Sequence, residues 1–312
     1  MDILAALLGL IILVLAGDAL VRGAVNLALR LGIPALIVSL TIVSFGTSAP
    51  ELFISIGAIL DGAPGIAMGN VVGSNTANVL LVLGIPALIS GIDTRNCETG
   101  RSYVFMMVGT LWFIGMCFFG PLIWVHGLLL LGLLAVILLD QGRQTRAHMR
   151  ACADDEEVEG ADPSMSWGRI AMFLALGLVG LPVGAELLVN SAVNIATAMG
   201  VSETVIGLTL VALGTSLPEL ATTVMAALRR HAEVALGNVI GSNLFNLLAI
   251  IGASTFFGEI PVDQSFLRFD LWVMLAASVV LAPFALMKVN VTRVMGAGLT
   301  ALYLGYVAIV LF

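Results

Sequence analysis

Residues 46–51 read Gly46-Thr47-Ser48-Ala49-Pro50-Glu51, and residues 214–219 read Gly214-Thr215-Ser216-Leu217-Pro218-Glu219, an offset of 168. At the same offset Gly69-Asn70-Val71-Val72-Gly73-Ser74-Asn75 returns as Gly237-Asn238-Val239-Ile240-Gly241-Ser242-Asn243, and Asn78 returns as Asn246. Aligned without gaps, residues 18–84 and 186–252 are identical at 28 of 67 positions. Chance does not produce that agreement, even between two apolar segments. The chain is built from two copies of one unit.

Composition sets the medium in which those units fold. Of 312 residues, 60% are hydrophobic and 11% charged, with a mean hydropathy of +1.10. A soluble domain carries about 45–50% apolar and about 25% charged residues, so a water-soluble enzyme is excluded. The chain reads as an all-α polytopic membrane protein, and its 34 glycines suit close helix packing in lipid. The net charge of −7 comes largely from one connecting segment, and there is no basic surface for nucleic acid. Cys97, Cys117 and Cys152 have the spacing of neither a disulfide framework nor a metal cluster. Met1 and Asp2 carry no positive charge, so the opening apolar stretch reads as a membrane helix and not a cleaved signal.

A helix crosses a bilayer with roughly 17–25 apolar residues. Ten such stretches are expected, at 3–30, 34–60, 65–91, 102–119, 122–139, 168–199, 203–228, 233–257, 269–287 and 294–311. With the N-terminus outside, 12 of the 13 basic residues fall on inside segments or their flanks, and only Arg268 lies outside. Five spans per copy is an odd number, so the second copy enters from the opposite face. The expected organisation is a five-helix repeat over 1–139, a cytoplasmic acidic linker over 140–167, and an inverted five-helix repeat over 168–312. Inverted repeats are characteristic of secondary transporters, whose sites lie near the midplane. The linker contains Asp154-Asp155-Glu156-Glu157-Val158-Glu159 and reads as a solvated tether. A weak regulatory calcium site is the sharper alternative, without any EF-hand spacing.

Within the first motif, proline displaces the carbonyl four residues back, so Pro50 frees Gly46 and Pro218 frees Gly214. Unwound backbone at membrane depth survives only where protein or a cavity surrounds it. A carboxylate follows each break, Glu51 or Glu219, and an intramembrane acid is a functional site by default. Brought together by the repeat symmetry, the two glutamates and the carbonyls of Thr47 and Thr215 offer six oxygens and no nitrogen or sulfur. Calcium takes 6–8 oxygens in flexible geometry, whereas zinc or copper would favour His or Cys. Further oxygens come from the second motif, where Asn70, Ser74 and Asn78 share one helical face, as do Asn238, Ser242 and Asn246. Asn70, Asn75, Asn238 and Asn243 read more readily as interhelical hydrogen-bonding residues beside the Gly-xxx-Gly pairs. Asp18 and Glu186 form a second offset pair, with Arg22 one turn from Asp18; a structural or gating role is the main expectation for them, and an ion-pathway role the lesser one.

Gly-Thr-Ser-x-Pro-Glu coupled to Gly-Ser-Asn-x-x-Asn, twice and inverted, resembles the alpha repeats of the cation/calcium exchanger superfamily, in its prokaryotic sodium/calcium exchanger branch. The resemblance implies antiport of calcium against sodium by alternating access, with calcium extruded across a prokaryotic cell (inner) membrane. It implies calcium held by Glu51, Glu219 and the Thr47 and Thr215 carbonyls. It implies sodium at flanking positions that add Ser48, Ser216, Ser74, Ser242, Asn78 and Asn246, and it implies that spans 1 and 6 slide as a bundle over the other eight. The ions are the substrates and the bilayer the surroundings; neither a cofactor nor an obligatory protein partner is implied. Several relatives, some of them potassium-moving, carry Asp at one position matching Asn78 or Asn246. Both are Asn here, so potassium coupling is not expected, and three sodium ions would exceed the two carboxylates by one charge. The runner-up is a calcium/proton antiporter, whose usual Gly-Asn-x-x-Glu pattern differs from the one here. A calcium-permeable channel and an intramembrane hydrolase are further alternatives; the hydrolase lacks both an acidic-protease motif and a Ser/His pair in the membrane. An empty pair of glutamates is expected to resist the inward–outward switch and to bind protons competitively, so acid should inhibit.

Overall fold

The computed structural model describes residues 2–151, 164–199 and 212–311. Among them the fold is helical throughout, apart from two isolated backbone bridges. The helices are α1 (Asp2–Leu31), α2 (Ala35–Thr47), α3 (Ala49–Leu60), α4 (Pro64–Ser90), α5 (Gly100–Cys117), α6 (Trp124–Ala151), α7 (Trp167–Ala198), α8 (Leu217–Leu228), α9 (Ala232–Ser254), α10 (Phe266–Leu286) and α11 (Arg293–Leu311). Seven described helices are long and apolar enough to cross a membrane, or eight if the bent pair α2/α3 is one span. Residues 203–211 of the seventh expected span lie outside the described residues, as does the acidic run 154–159. Helix α6 runs past residue 140 to Ala151, so the start of the connecting segment is helical and not a simple tether.

Burial divides the helices into a centre and a lipid-facing periphery. The most apolar window of α9 is 94% buried, whereas that of α7 is only 22% buried. Ile3, Leu4, Leu7, Leu8 and Leu15 of α1 are exposed, as apolar side chains are where lipid replaces water. The main core gathers α4, α5, α9 and α10 around Met68, Met106, Phe113, Ile240 and Met274. A second, separate cluster joins α1 to α7 through Leu13, Leu20, Leu27, Ile170 and Leu181.

Small residues explain how closely α1 and α7 approach. A Cβ added to Gly9 would lie 2.7 Å from the Leu188 backbone nitrogen, and one on Gly184 would lie 2.9 Å from that of Leu13. No rotamer relieves a clash with backbone. The seam therefore requires glycine at both positions, as expected where dispersion and not hydrophobicity holds helices together. At the end of the seam, Arg30 donates to the Met165 carbonyl at 3.0 Å and lies over the Trp167 ring. This fixes the C-terminus of α1 beside the N-terminus of α7.

The sequence offset of 168 recurs in three dimensions. Ile92 pairs with Val291 through backbone bonds of 2.9 and 3.0 Å, and Leu122 pairs with Ile260 through bonds of 2.8 and 2.9 Å. Ile92 and Ile260 are offset equivalents. The turn after α3 uses Gly62 at φ +77°, and the turn after α8 places Arg230 at φ +60°. That conformation costs a side-chain-bearing residue roughly 1–2 kcal/mol. The arginine is thus held there by the tertiary fold.

Candidate cation site

Each first motif ends one helix and begins another. Ser48 leaves helical geometry at φ −84°, ψ 4°, and Ser216 does the same at φ −85°, ψ 1°. Pro50 and Pro218 sit in the first turn of α3 and α8, where a missing N–H removes no helical bond. Helices α2 and α3 meet at 41°. The break expected from Pro50 is therefore present, and it falls on the serine of the motif. Glu51 and Glu219 lie in the first turns that follow, where the positive end of the helix dipole favours a carboxylate.

Helices α4 and α9 hold these turns in place by matching bonds. Asn70 Nδ2 donates to the Glu51 carbonyl at 3.2 Å and to Ser55 Oγ at 3.1 Å. Asn238 Nδ2 donates to the Glu219 carbonyl at 3.2 Å and to Thr223 Oγ1 at 3.0 Å. Between the two helices, Asn75 Nδ2 donates to the Asn243 carbonyl at 3.1 Å, and Asn243 Nδ2 returns a bond to the Asn75 carbonyl at 3.4 Å. These four asparagines join helices, as their place beside the Gly-xxx-Gly pairs predicts. Both helices then widen to a π-turn, over Asn78–Val82 and Asn246–Ile250. Such turns concentrate at functional sites, and nothing in the residue pattern announces them.

All ten candidate residues are buried: Thr47, Ser48, Glu51, Ser74, Asn78, Thr215, Ser216, Glu219, Ser242 and Asn246. Contacts cross between the halves. Ser48 Oγ donates to Glu219 Oε1 at 3.1 Å, Thr47 Oγ1 donates to Asn238 Oδ1 at 3.4 Å, and Asn78 Nδ2 donates to Asn243 Oδ1 at 3.1 Å. Among the described residues neither glutamate has a basic partner. Glu51 Oε2, Glu219 Oε2, Asn78 Oδ1, Asn246 Oδ1, Ser216 Oγ and Ser242 Oγ are buried without a hydrogen-bond partner. Each such atom costs about 1–3 kcal/mol when left unsatisfied, and an uncompensated buried charge costs more. Oxygens of this kind are the donors that a hard cation takes. Among the described residues no group of three or more His, Cys, Asp and Glu side chains could hold a metal, so the donors here are two carboxylates among neutral oxygens.

One contact breaks the repeat. Ser48 reaches Glu219, whereas its equivalent Ser216 is unpartnered. Beside Ser48, a crevice of about 20 Å³ is lined by Phe45, Ala49, Leu52, Phe245, Ala249 and Ile250. That is room for about one water.

Paired buried carboxylates at two broken helices, inside an apolar helical bundle, define a membrane cation transporter. The family model described as sodium/calcium exchanger protein matches residues 1–141 and 169–312. The chain belongs to that family, whose members are secondary transporters and not enzymes. It is 32% identical to the sodium/calcium exchanger MaX1 of Methanosarcina acetivorans, with 100% of this chain and 99% of the relative covered. It is 33% identical to the inner membrane protein YrbG of Escherichia coli, covering 88% of this chain and 86% of that one. Its fold matches a solved structure of the sodium-calcium exchanger NCX_Mj with a TM-score of 0.82 at 32% identity, over 98% of this chain and 97% of the other.

Proposed function

We propose that this chain exchanges calcium for sodium by alternating access and extrudes calcium across a prokaryotic inner membrane. In this reading it has ten spans arranged as two inverted five-helix repeats, 1–139 and 168–312. The N-terminus is outside and the 140–167 linker cytoplasmic. Calcium is held by Glu51 and Glu219 with the Thr47 and Thr215 carbonyls. Sodium is held by sets that add Ser48, Ser216, Ser74, Ser242, Asn78 and Asn246. One set of oxygens serves both loads, so binding of one displaces the other.

The single observation that carries the reading is the contact of Ser48 with Glu219 across motifs 168 residues apart, beside unpartnered buried oxygens on both Glu51 and Glu219. Two carboxylates balance one divalent ion in a medium where charge imbalance is expensive. The glycine seam supports α1 and α7 moving as one body, because small residues let their backbones approach closely at Gly9, Gly177 and Gly184.

The test is radiolabelled calcium uptake into proteoliposomes loaded with sodium, with potassium, or with a proton gradient. Sodium loading is expected to drive concentrative uptake. Uptake driven by the proton gradient alone would replace this reading with calcium/proton antiport. Flux that never exceeds equilibrium would replace it with a channel.

A further inference from the structure

The helices that carry the two glutamates are equivalent in sequence but not in surroundings. Helix α8 is covered by α1: a Cβ on Gly17 would lie 3.0 Å from the Ala221 carbonyl oxygen and 3.3 Å from Met225 Cγ. Leu217 and Ala221 also pack into the α1/α7 cluster. Helix α3 scarcely touches α7 and contributes nothing to that cluster. Its Phe53 is 73% exposed. The α1/α7 pair thus lies over α8 and away from α3. The end of α8 meets α1 at Asp18 through Arg229, and α1 runs on toward the linker, where Arg30 meets Met165 and Trp167. On this face α1 packs over α8, and the crevice beside Ser48 lies against Ala49 and Leu52 of α3 and against Phe245, Ala249 and Ile250 of α9.

One ion-pair cluster crosses the closed seam. Arg22 Nε lies 2.9 Å from Asp18 Oδ2 on the same helix, and Arg229 Nε, just past α8, donates to Asp18 Oδ1. Arg22 is exposed, but Arg229 and Asp18 are only 29% and 20% exposed, so solvent screens the contact between those two incompletely. The offset of 168 supplies the comparison. Asp18 corresponds to Glu186, Arg22 to Asn190 and Arg229 to Asp61. The seam that would close the opposite side would therefore bring Glu186 of α7 toward Asp61 at the end of α3. Both are exposed here. They are two acids where the linker side has an acid and two arginines.

We propose that the Asp18–Arg229 pair is a latch that holds the α1/α7 body over α8, and that its acid–acid counterpart, Glu186 with Asp61, cannot latch the reverse closure. The resting carrier then faces away from the linker. A like-charge pair raises the free energy of the alternative closed seam while an opposite-charge pair lowers that of the present one. The two effects add in one direction. This rests on the alternating-access reading above and adds to it the residues that set which side is open.

The test reads sidedness directly. Cys97, Cys117 and Cys152 are replaced by Ala, and Met225→Cys is introduced as a reporter beneath Gly17. The full chain in liposomes, at fixed sodium, meets a membrane-impermeant thiol reagent from the linker side. Arg229→Gln is expected to speed labelling about fivefold or more, and Arg229→Lys to restore the slow rate. Asp61→Arg leaves the latch intact and gives Glu186 an opposite-charge partner for the reverse closure. It is expected to speed linker-side labelling too, which keeps the proposal testable if Arg229→Gln does not fold. Unchanged labelling in Asp61→Arg and in whichever Arg229 or Asp18→Asn variant folds would overturn it. Sodium-driven calcium uptake, measured in the same Cys-free chain without the latch substitutions, is a separate arm. Its absence would defeat the exchange reading, whereas normal uptake with unchanged labelling would defeat the latch alone.

Discussion

Helices α3 and α8 begin with nearly the same six-residue motif, yet their surroundings differ. In α8, Pro218, Glu219, Thr222, Thr223, Ala226 and Ala227 are buried; in α3, only Glu51, Ser55 and Ile59 are. Both glutamates are buried alike. The repeat thus keeps both carboxylates buried and lets the cover differ. A carrier that alternates needs this arrangement, because one site must be served by two closures of which only one is made at a time.

The largest effects should fall where the two helices agree. Glu51→Gln and Glu219→Gln are each expected to reduce sodium-driven calcium uptake about a hundredfold or more, the scale of breaking a buried charge interaction of 3–5 kcal/mol. Uptake at saturating calcium checks this. A harmless Glu219→Gln beside a damaging Glu51→Gln would mean the halves are not equivalent in binding.

The next effect separates covered from uncovered surface. Gly17→Leu forces a side chain against the α8 backbone, since the Cβ alone already meets the Ala221 carbonyl oxygen at 3.0 Å. Overpacking of this kind costs about 1–3 kcal/mol, visible as a lower Tm of the purified protein. Gly57 of α3 has nothing within 4 Å of its would-be Cβ. Gly57→Ala should therefore raise stability by about 0.5–1 kcal/mol through helix propensity.

A smaller difference is expected within the asparagine bracket. Asn75 and Asn243 exchange bonds, but Asn243 also accepts from Asn78. Asn243→Ala strands the buried Asn78 amide, so it should cost about 1 kcal/mol more than Asn75→Ala. Equal losses in thermal unfolding would show that the Asn78 bond contributes nothing.

The smallest effect lies outside the bundle. Hydrogen bonds from Arg95 hold the Asp93 carboxyl down at about 2, from an ordinary 3.8. A lowered acid contributes stability above its unfolded value that is lost as pH falls through the folded one, here between about 4 and about 2. The pair is solvent-exposed, so Asp93→Asn should leave Tm at neutral pH within error. Any loss should appear only as wild-type and variant curves converge in acid.

Much of the site was legible in the residues. The repeated motif located both helix breaks, and the ten oxygen-bearing residues chosen from it are all buried. Arg22 was visible as a partner for Asp18 because it lies one turn away, whereas Arg229 is 211 residues distant and its contact depends on how α1 crosses α8. The π-turns at Asn78 and Asn246 were equally hidden, since a widened turn uses the same apolar residues as an ordinary one. The helical continuation of α6 to Ala151 was missed because polar residues such as Gln141 and Arg143 read as the end of a span, although a helix can project beyond the lipid.

By itself the sequence determined a twice-used apolar unit carrying one acid per copy behind a helix-breaking proline, because composition, offset and proline chemistry are local properties. Only the tertiary structure decided which copy is covered. In the latch proposed above, that choice turns on two of the many positions where the copies differ, Asp18 against Glu186 and Arg229 against Asp61. Their energies exist only once helices distant in the chain are packed side by side.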